Sequence, residues 1–213
     1  MVYYIVIFLL TAFLAWGFSS TTKPPKLLFF TFCMTIGLFV GMSDMLGGYD
    51  RYIYAEVFQG LHTSIANGEL FNKAFIEYFG KEPIFGLIND AIALFTPNRY
   101  IFILVYTLFV YGIYSFNFYR YTRNPYLALL IFEGLMFFFT FTYLRQILAA
   151  GIIWIAIPYI AKRQLKKYIL FVIIATLIHN SAIYMILLYF IPRKKNKGKK
   201  IIFIQNSVRI FIR

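Results

Sequence analysis

One cysteine in 213 residues, Cys33, set inside an apolar run, leaves this chain without a disulfide framework or a thiolate metal site. Acidic side chains are scarce as well, eight against 21 lysines and arginines, and charged residues make up only 14% of the sequence. No Walker loop, HExxH, GxSxG or CxxC pattern occurs, so no cofactor and no metal are expected. The net charge of +13 does not point to nucleic acid, because the basic residues fall in short clusters between apolar runs, as they do in the cytoplasmic loops of membrane proteins. What is present in quantity is hydrocarbon: 61% hydrophobic and 22% aromatic residues, with a mean hydropathy of +0.72. A bilayer is the solvent such a chain prefers. The expected fold is therefore all-α, a polytopic integral membrane protein with about five to seven transmembrane or re-entrant helices and one longer external loop.

The apolar run Val2 to Phe18 has no basic residue before it and no small-residue cleavage signal after it, and it reads as a first span rather than a signal peptide. Lys23 and Lys26 follow, which places that end in the cytoplasm and the amino terminus outside. Leu27 to Leu46 is a second span, ending at Asp44 near the outer surface. Gly47 to Glu82 is the one long polar stretch, with Asp50, Glu56, Glu69, Glu77 and Glu82 against Arg51, Lys73 and Lys81, and it reads as the external loop. Ile84 to Phe95 is too short to cross and carries Asn89 and Asp90, so it reads as a re-entrant or interfacial helix. Tyr100 to Tyr119 then crosses inward to Arg120 and Arg123, Tyr126 to Phe141 crosses outward, and Ile147 to Ala161 returns to Lys162, Arg163, Lys166 and Lys167. Tyr168 to Ile191 is flanked by basic clusters on both sides. Either it is a hairpin of two half-helices turning at His179-Asn180, or loop charge fails to predict its side. Residues 1 to 192 form one membrane domain, and 193 to 213 a basic tail whose alternating pattern reads as an interrupted end.

Four places carry candidate chemistry. The stretch Phe141 to Gly151, FTYLRQILAAG, sets Arg145 and Gln146 between apolar runs, and a guanidinium beside hydrocarbon needs an anion, a wet cavity or a route to the headgroups. Arg145 with Gln146 either binds a phosphate or pyrophosphate through paired charge-assisted hydrogen bonds or snorkels to lipid. His179 is either a general base for a sugar hydroxyl or a neutral ring bonded to a neighbouring helix. Tyr49, Asp50, Arg51 and Tyr52 either grip a carbohydrate or form an interfacial aromatic belt with a solvated ion pair. Glu82-Pro83 has the form of a helix start.

The series GGYDRYIYAEVF, EPIFGLIND, FTYLRQILAAGI and LIHNSAIYMILLY resembles, in order and spacing over about residues 1 to 200, the EpsG family of bacterial polysaccharide proteins, related to Wzy-type O-antigen and capsule polymerases. The resemblance implies a multi-pass enzyme of the bacterial inner membrane that joins oligosaccharide repeat units carried on undecaprenyl pyrophosphate, on the periplasmic side and without a metal or nucleotide sugar. Its partners would be the lipid-linked oligosaccharide, membrane lipid and other polysaccharide-assembly proteins. By position, the family's motifs fall on Tyr49, Asp50 and Tyr52, on Glu82 and Pro83, on Arg145 and Gln146, and on His179 and Ser181. The chain departs from many relatives in lacking an arginine near the end of span two, where it reads GMSDMLGG, and in being shorter. Arg145, His179 and Asp50 are the expected catalytic residues, and Tyr49, Arg51, Tyr52, Glu82 and Gln146 the expected substrate-binding ones. A polar-lipid or polysaccharide transporter or flippase, and an inactive remnant, are the alternative readings.

Overall fold

The computed structural model describes residues 2–18, 23–43, 49–68 and 82–191. Among them there is no strand. In chain order the α-helices are α1 (Val2–Gly17), α2 (Lys26–Gly41), α3 (Tyr49–Ala66), α4 (Pro83–Ala93), α5 (Arg99–Tyr121), α6 (Pro125–Met136), α7 (Phe139–Thr142), α8 (Leu144–Ala161) and α9 (Leu165–Ile178), followed by a 3-10 helix, Asn180–Phe190. Two of them, α5 and α8, are long and apolar enough to cross a membrane, and five others are apolar but only 10–17 residues long. Asp44, the outer charges Glu69, Lys73, Glu77 and Lys81, and the basic tail lie outside the described residues.

α5 is the central element, packing against α2, α3, α6 and α8. Its contact with α2 is close because α2 presents Gly37 and Gly41 one turn apart. A Cβ on Gly41 would stand 3.0 Å from the Leu104 Cα, and one on Gly37 would stand 3.0 Å from the Tyr111 Cβ. Small residues spaced by four let apolar helices approach backbone to backbone. Gly151 does the same for α8, where a Cβ would meet Ile113 at 2.8 Å. α1 packs on α6 at the periphery, showing Leu9, Phe13 and Trp16 to the surroundings.

One end of the bundle gathers the basic connections. The Tyr119 hydroxyl donates to the Pro24 carbonyl (3.2 Å), the Asn124 amide to Ala15 (2.7 Å) and the Tyr121 hydroxyl to Ile155 (3.4 Å), which ties together the chain ends that carry Lys23, Lys26, Arg120, Arg123, Lys162 and Arg163.

One expectation changes, and one open choice is resolved. The polar stretch after Gly47 is not simply a loop: its first half is the 18-residue helix α3, whose Arg51, Tyr54, Ala55, Phe58 and Leu61 are buried at helical spacing. The final apolar run is a hairpin. α9 ends where His179 takes extended dihedrals (φ −151°, ψ 116°), and the 3-10 helix returns alongside it, with the Tyr168 hydroxyl donating to Met185 (2.6 Å) and the Tyr168 and Tyr189 rings stacked at 5.8 Å. The arms match in length, about 21 Å for 14 α-helical residues and about 22 Å for 11 in a 3-10 helix. His179 is thus the apex, at the end opposite the basic connections.

Candidate functional site

Glu82 immediately precedes the Pro83 that starts α4, and its side chain is 3% exposed. Its two oxygens are shared among three distant stretches. Oε2 accepts from Arg145 Nη1. Oε1 accepts from the Asn180 backbone amide (2.9 Å) and from His179 Nδ1 (3.0 Å). Each partner is available for a local reason. Breaking α9 at His179 leaves the first amides of the 3-10 helix without intrahelical acceptors, and a carboxylate at that end satisfies one of them and complements the local dipole. Arg145 lies in the first turn of α8, where the dipole disfavours a cation, so it depends on neighbours for compensation. Besides Glu82, it donates from Nε to the Tyr54 hydroxyl (3.1 Å), and its guanidinium stands 5.2 Å from the Tyr54 ring and 5.5 Å from the Phe85 ring. Contacts with ring faces at such distances are attractive for a cation.

Burial alone pushes the Glu82 carboxyl up, but the His179 hydrogen bond, the Asn180 amide and the Arg145 charge outweigh it and hold the group below its ordinary value of 4.5. It is an anion at neutral pH. A carboxylate only accepts, so Nδ1 of His179 carries the proton of their shared bond, and in the neutral ring Nε2 keeps a lone pair. His179 and Gln146 also line one groove, together with Ser181. The cluster therefore combines an oriented imidazole, a guanidinium with 18% of its side chain exposed and an apolar cleft beside them.

Of the sequence candidates, Arg145, His179 and Glu82 come together, with Gln146 adjacent in α8. Asp50 lies in the first turn of α3, half-buried and one turn before Tyr54. Tyr52 is exposed at 52%. Tyr49 begins α3, and its side chain lies outside the described residues. Arg51 is placed elsewhere. It is 1% exposed, and its Nη2 donates to the carbonyls of Val40 (3.3 Å), Gly41 (3.5 Å) and Ser43 (3.2 Å), which closes the carboxyl end of α2. Tyr54, Phe85 and Asn180 join the site without a motif that marks them. The signal for Tyr54 is the helical spacing of α3, which puts it on the face of Arg51 and Phe58. Among the described residues no group of three His, Cys, Asp or Glu could hold a metal ion.

The sequence profile of the EpsG family matches residues 26–212. No curated protein and no solved structure matches the chain.

Proposed function

The chain belongs to the EpsG family, which is associated with membranes and polysaccharide biosynthesis, and on that premise we propose that it polymerises oligosaccharide repeat units linked to undecaprenyl pyrophosphate, as a multi-pass protein of the bacterial inner membrane with its site towards the periplasm. The observation that carries this reading is the Glu82 carboxylate held at once by Arg145, His179 and the Asn180 amide. It gives one place both a base and a cation, at the end away from the basic connections that the cytoplasm retains.

In the reaction, a hydroxyl of the acceptor sugar attacks the anomeric carbon of the donor. The acceptor O–H bond breaks and its proton passes to His179 Nε2, a glycosidic C–O bond forms, and the bond from the anomeric carbon to the pyrophosphate breaks. Glu82 holds the imidazole by Nδ1 and stabilises the imidazolium that results. Arg145 faces the charge that grows on the departing pyrophosphate, with Gln146 as a second donor, and such stabilisation is worth most where water is excluded. Tyr49, Asp50 and Tyr52, at the start of α3, serve to position sugars.

The test is polymer length from lipid-linked repeat units in reconstituted membranes. Arg145→Ala is expected to lower the rate by about 100-fold to 1000-fold, and Arg145→Lys to recover only part of it, because an ammonium lacks the planar fork. Long polymer at the normal rate from both variants overturns the assignment. Repeat units that cross the bilayer without lengthening indicate transport instead.

A further inference from the structure

A groove of about 500 Å³ runs from the Glu82 cluster between α5, α6, α8 and the 3-10 helix. Its polar groups, Gln146, His179 and Ser181, belong to the end beside that cluster, and the rest is apolar. The floor is aromatic: Tyr114 and Phe132 meet at 4.7 Å, and Phe118 and Trp154 edge to face at 5.4 Å. The Tyr114 hydroxyl turns away to the Ile147 carbonyl (3.2 Å), so that residue offers the groove mainly its ring. On the rim, Ile131, Leu135, Ile157 and Met185 are exposed, which opens the cleft sideways onto the apolar outer face of the bundle.

Dimensions and chemistry narrow the occupant. The groove follows α8 for about 16 Å, from Gln146 to Ile157. A saccharide finds no hydrogen-bonding partners along the apolar length, and burying its hydroxyls there is unfavourable. One hydrocarbon chain fits. Four of the lining residues, Ala128, Ala149, Ala150 and Ala182, are small, which leaves the walls room for a branched as well as a straight chain.

We propose that this groove takes the polyisoprenoid tail of the glycosyl donor, entering sideways from the bilayer so that its anionic head arrives at Arg145 and Gln146. The identity of that lipid as donor rests on the function proposed above. The groove's fourth wall is the 3-10 helix, which buries only Ala182 and Tyr189, so it is the wall best able to yield as a chain enters.

The experiment is photolabelling of the intact chain in lipid nanodiscs with a polyisoprenyl phosphate carrying a diazirine in its chain, followed by peptide mass spectrometry. Label is expected on α8 and the 3-10 helix, competed by unmodified polyisoprenyl phosphate and not by phosphatidylglycerol. Ala150→Trp and, from the opposite wall, Ala128→Phe are each expected to reduce that label about tenfold by occupying the cleft, while Leu10→Trp on the far surface of α1 leaves it unchanged. Equal competition by phosphatidylglycerol, label spread evenly over α1 and the groove, or full labelling of both groove variants overturns the proposal. Labelling needs no turnover. Specific label without polymerisation removes the glycosyl-transfer reading and leaves the groove. Polymerisation with unspecific label does the reverse.

Discussion

At the scale of single residues, Glu82 matters more than its place in the sequence suggests. Its partners lie 63, 97 and 98 positions away, and no local pattern announces such a meeting. Arg145 and His179 stand out because a cation and an imidazole are rare between apolar runs; a glutamate before a proline has an ordinary explanation as a helix start. Glu82→Gln keeps the shape and removes the charge. Arg145 then loses its counter-ion and His179 its fixed proton at Nδ1, and the expected result is a fall in polymerisation of about 100-fold or more with little change in donor KM. Glu82→Gln at wild-type rate would show the carboxylate to be a bystander. The acid limit has a definite sign. Because the folded carboxyl is held below 4.5, its contribution is complete at neutral pH and is lost only as pH falls through that depressed value. The burial of Arg51 against the end of α2 points to a role in stability, which a substitution tests. Replacing Arg51 with Met removes one donor from the carbonyls of Val40, Gly41 and Ser43, of which Val40 keeps the Ser43 hydroxyl (2.6 Å), at a cost of about 2 kcal/mol, read as a lower Tm in detergent with KM unchanged. A raised KM at unchanged Tm would return Arg51 to the substrate.

Among the elements, α3 shows why composition misleads. YDRYIYAEVFQGLHTSIA contains enough polar residues to pass for a loop after Gly47-Gly48. Yet Arg51, Tyr54, Ala55, Phe58 and Leu61 fall at the intervals of one helix face, and all five are buried. The hairpin of α9 and the 3-10 helix was visible as a conflict, since both flanks are basic; the sequence did not decide it because length alone allows a single crossing. The helices read as spans were recognisable as helices from their apolar runs, but their close contacts were not, because a glycine reveals its neighbour only in three dimensions. The contrast can be measured. Gly41→Leu drives a side chain against the Leu104 backbone and is expected to cost about 3 kcal/mol by overpacking. Gly60→Ala in α3, where a Cβ meets nothing within 4 Å, is expected to stabilise by about 0.5–1 kcal/mol. Thermal unfolding of the two variants in one detergent tests both, and equal shifts would mean that the α2–α5 approach is looser than these distances.

For the molecule as a whole, the two ends differ in character, and that difference carries the assignment of sides. Lys23, Lys26, Arg120, Arg123, Lys162 and Arg163 are drawn to one end by hydrogen bonds from Tyr119, Asn124 and Tyr121. Glu82, Arg145 and His179 occupy the other. Basic loops are retained in the cytoplasm, so the cluster faces outward if the bundle crosses the bilayer along α5 and α8. Cys33 is buried, which permits single-cysteine mapping once it is replaced by Ser. In sealed right-side-out vesicles, an impermeant maleimide is expected to label Tyr52→Cys directly, and Arg123→Cys and Lys162→Cys only after the membrane is opened. The reverse pattern, Arg123→Cys and Lys162→Cys labelled directly and Tyr52→Cys only after opening, would overturn the assignment of sides. The Glu82 cluster would then meet its substrate in the cytoplasm, where a repeat unit already carried to the outer leaflet cannot reach it.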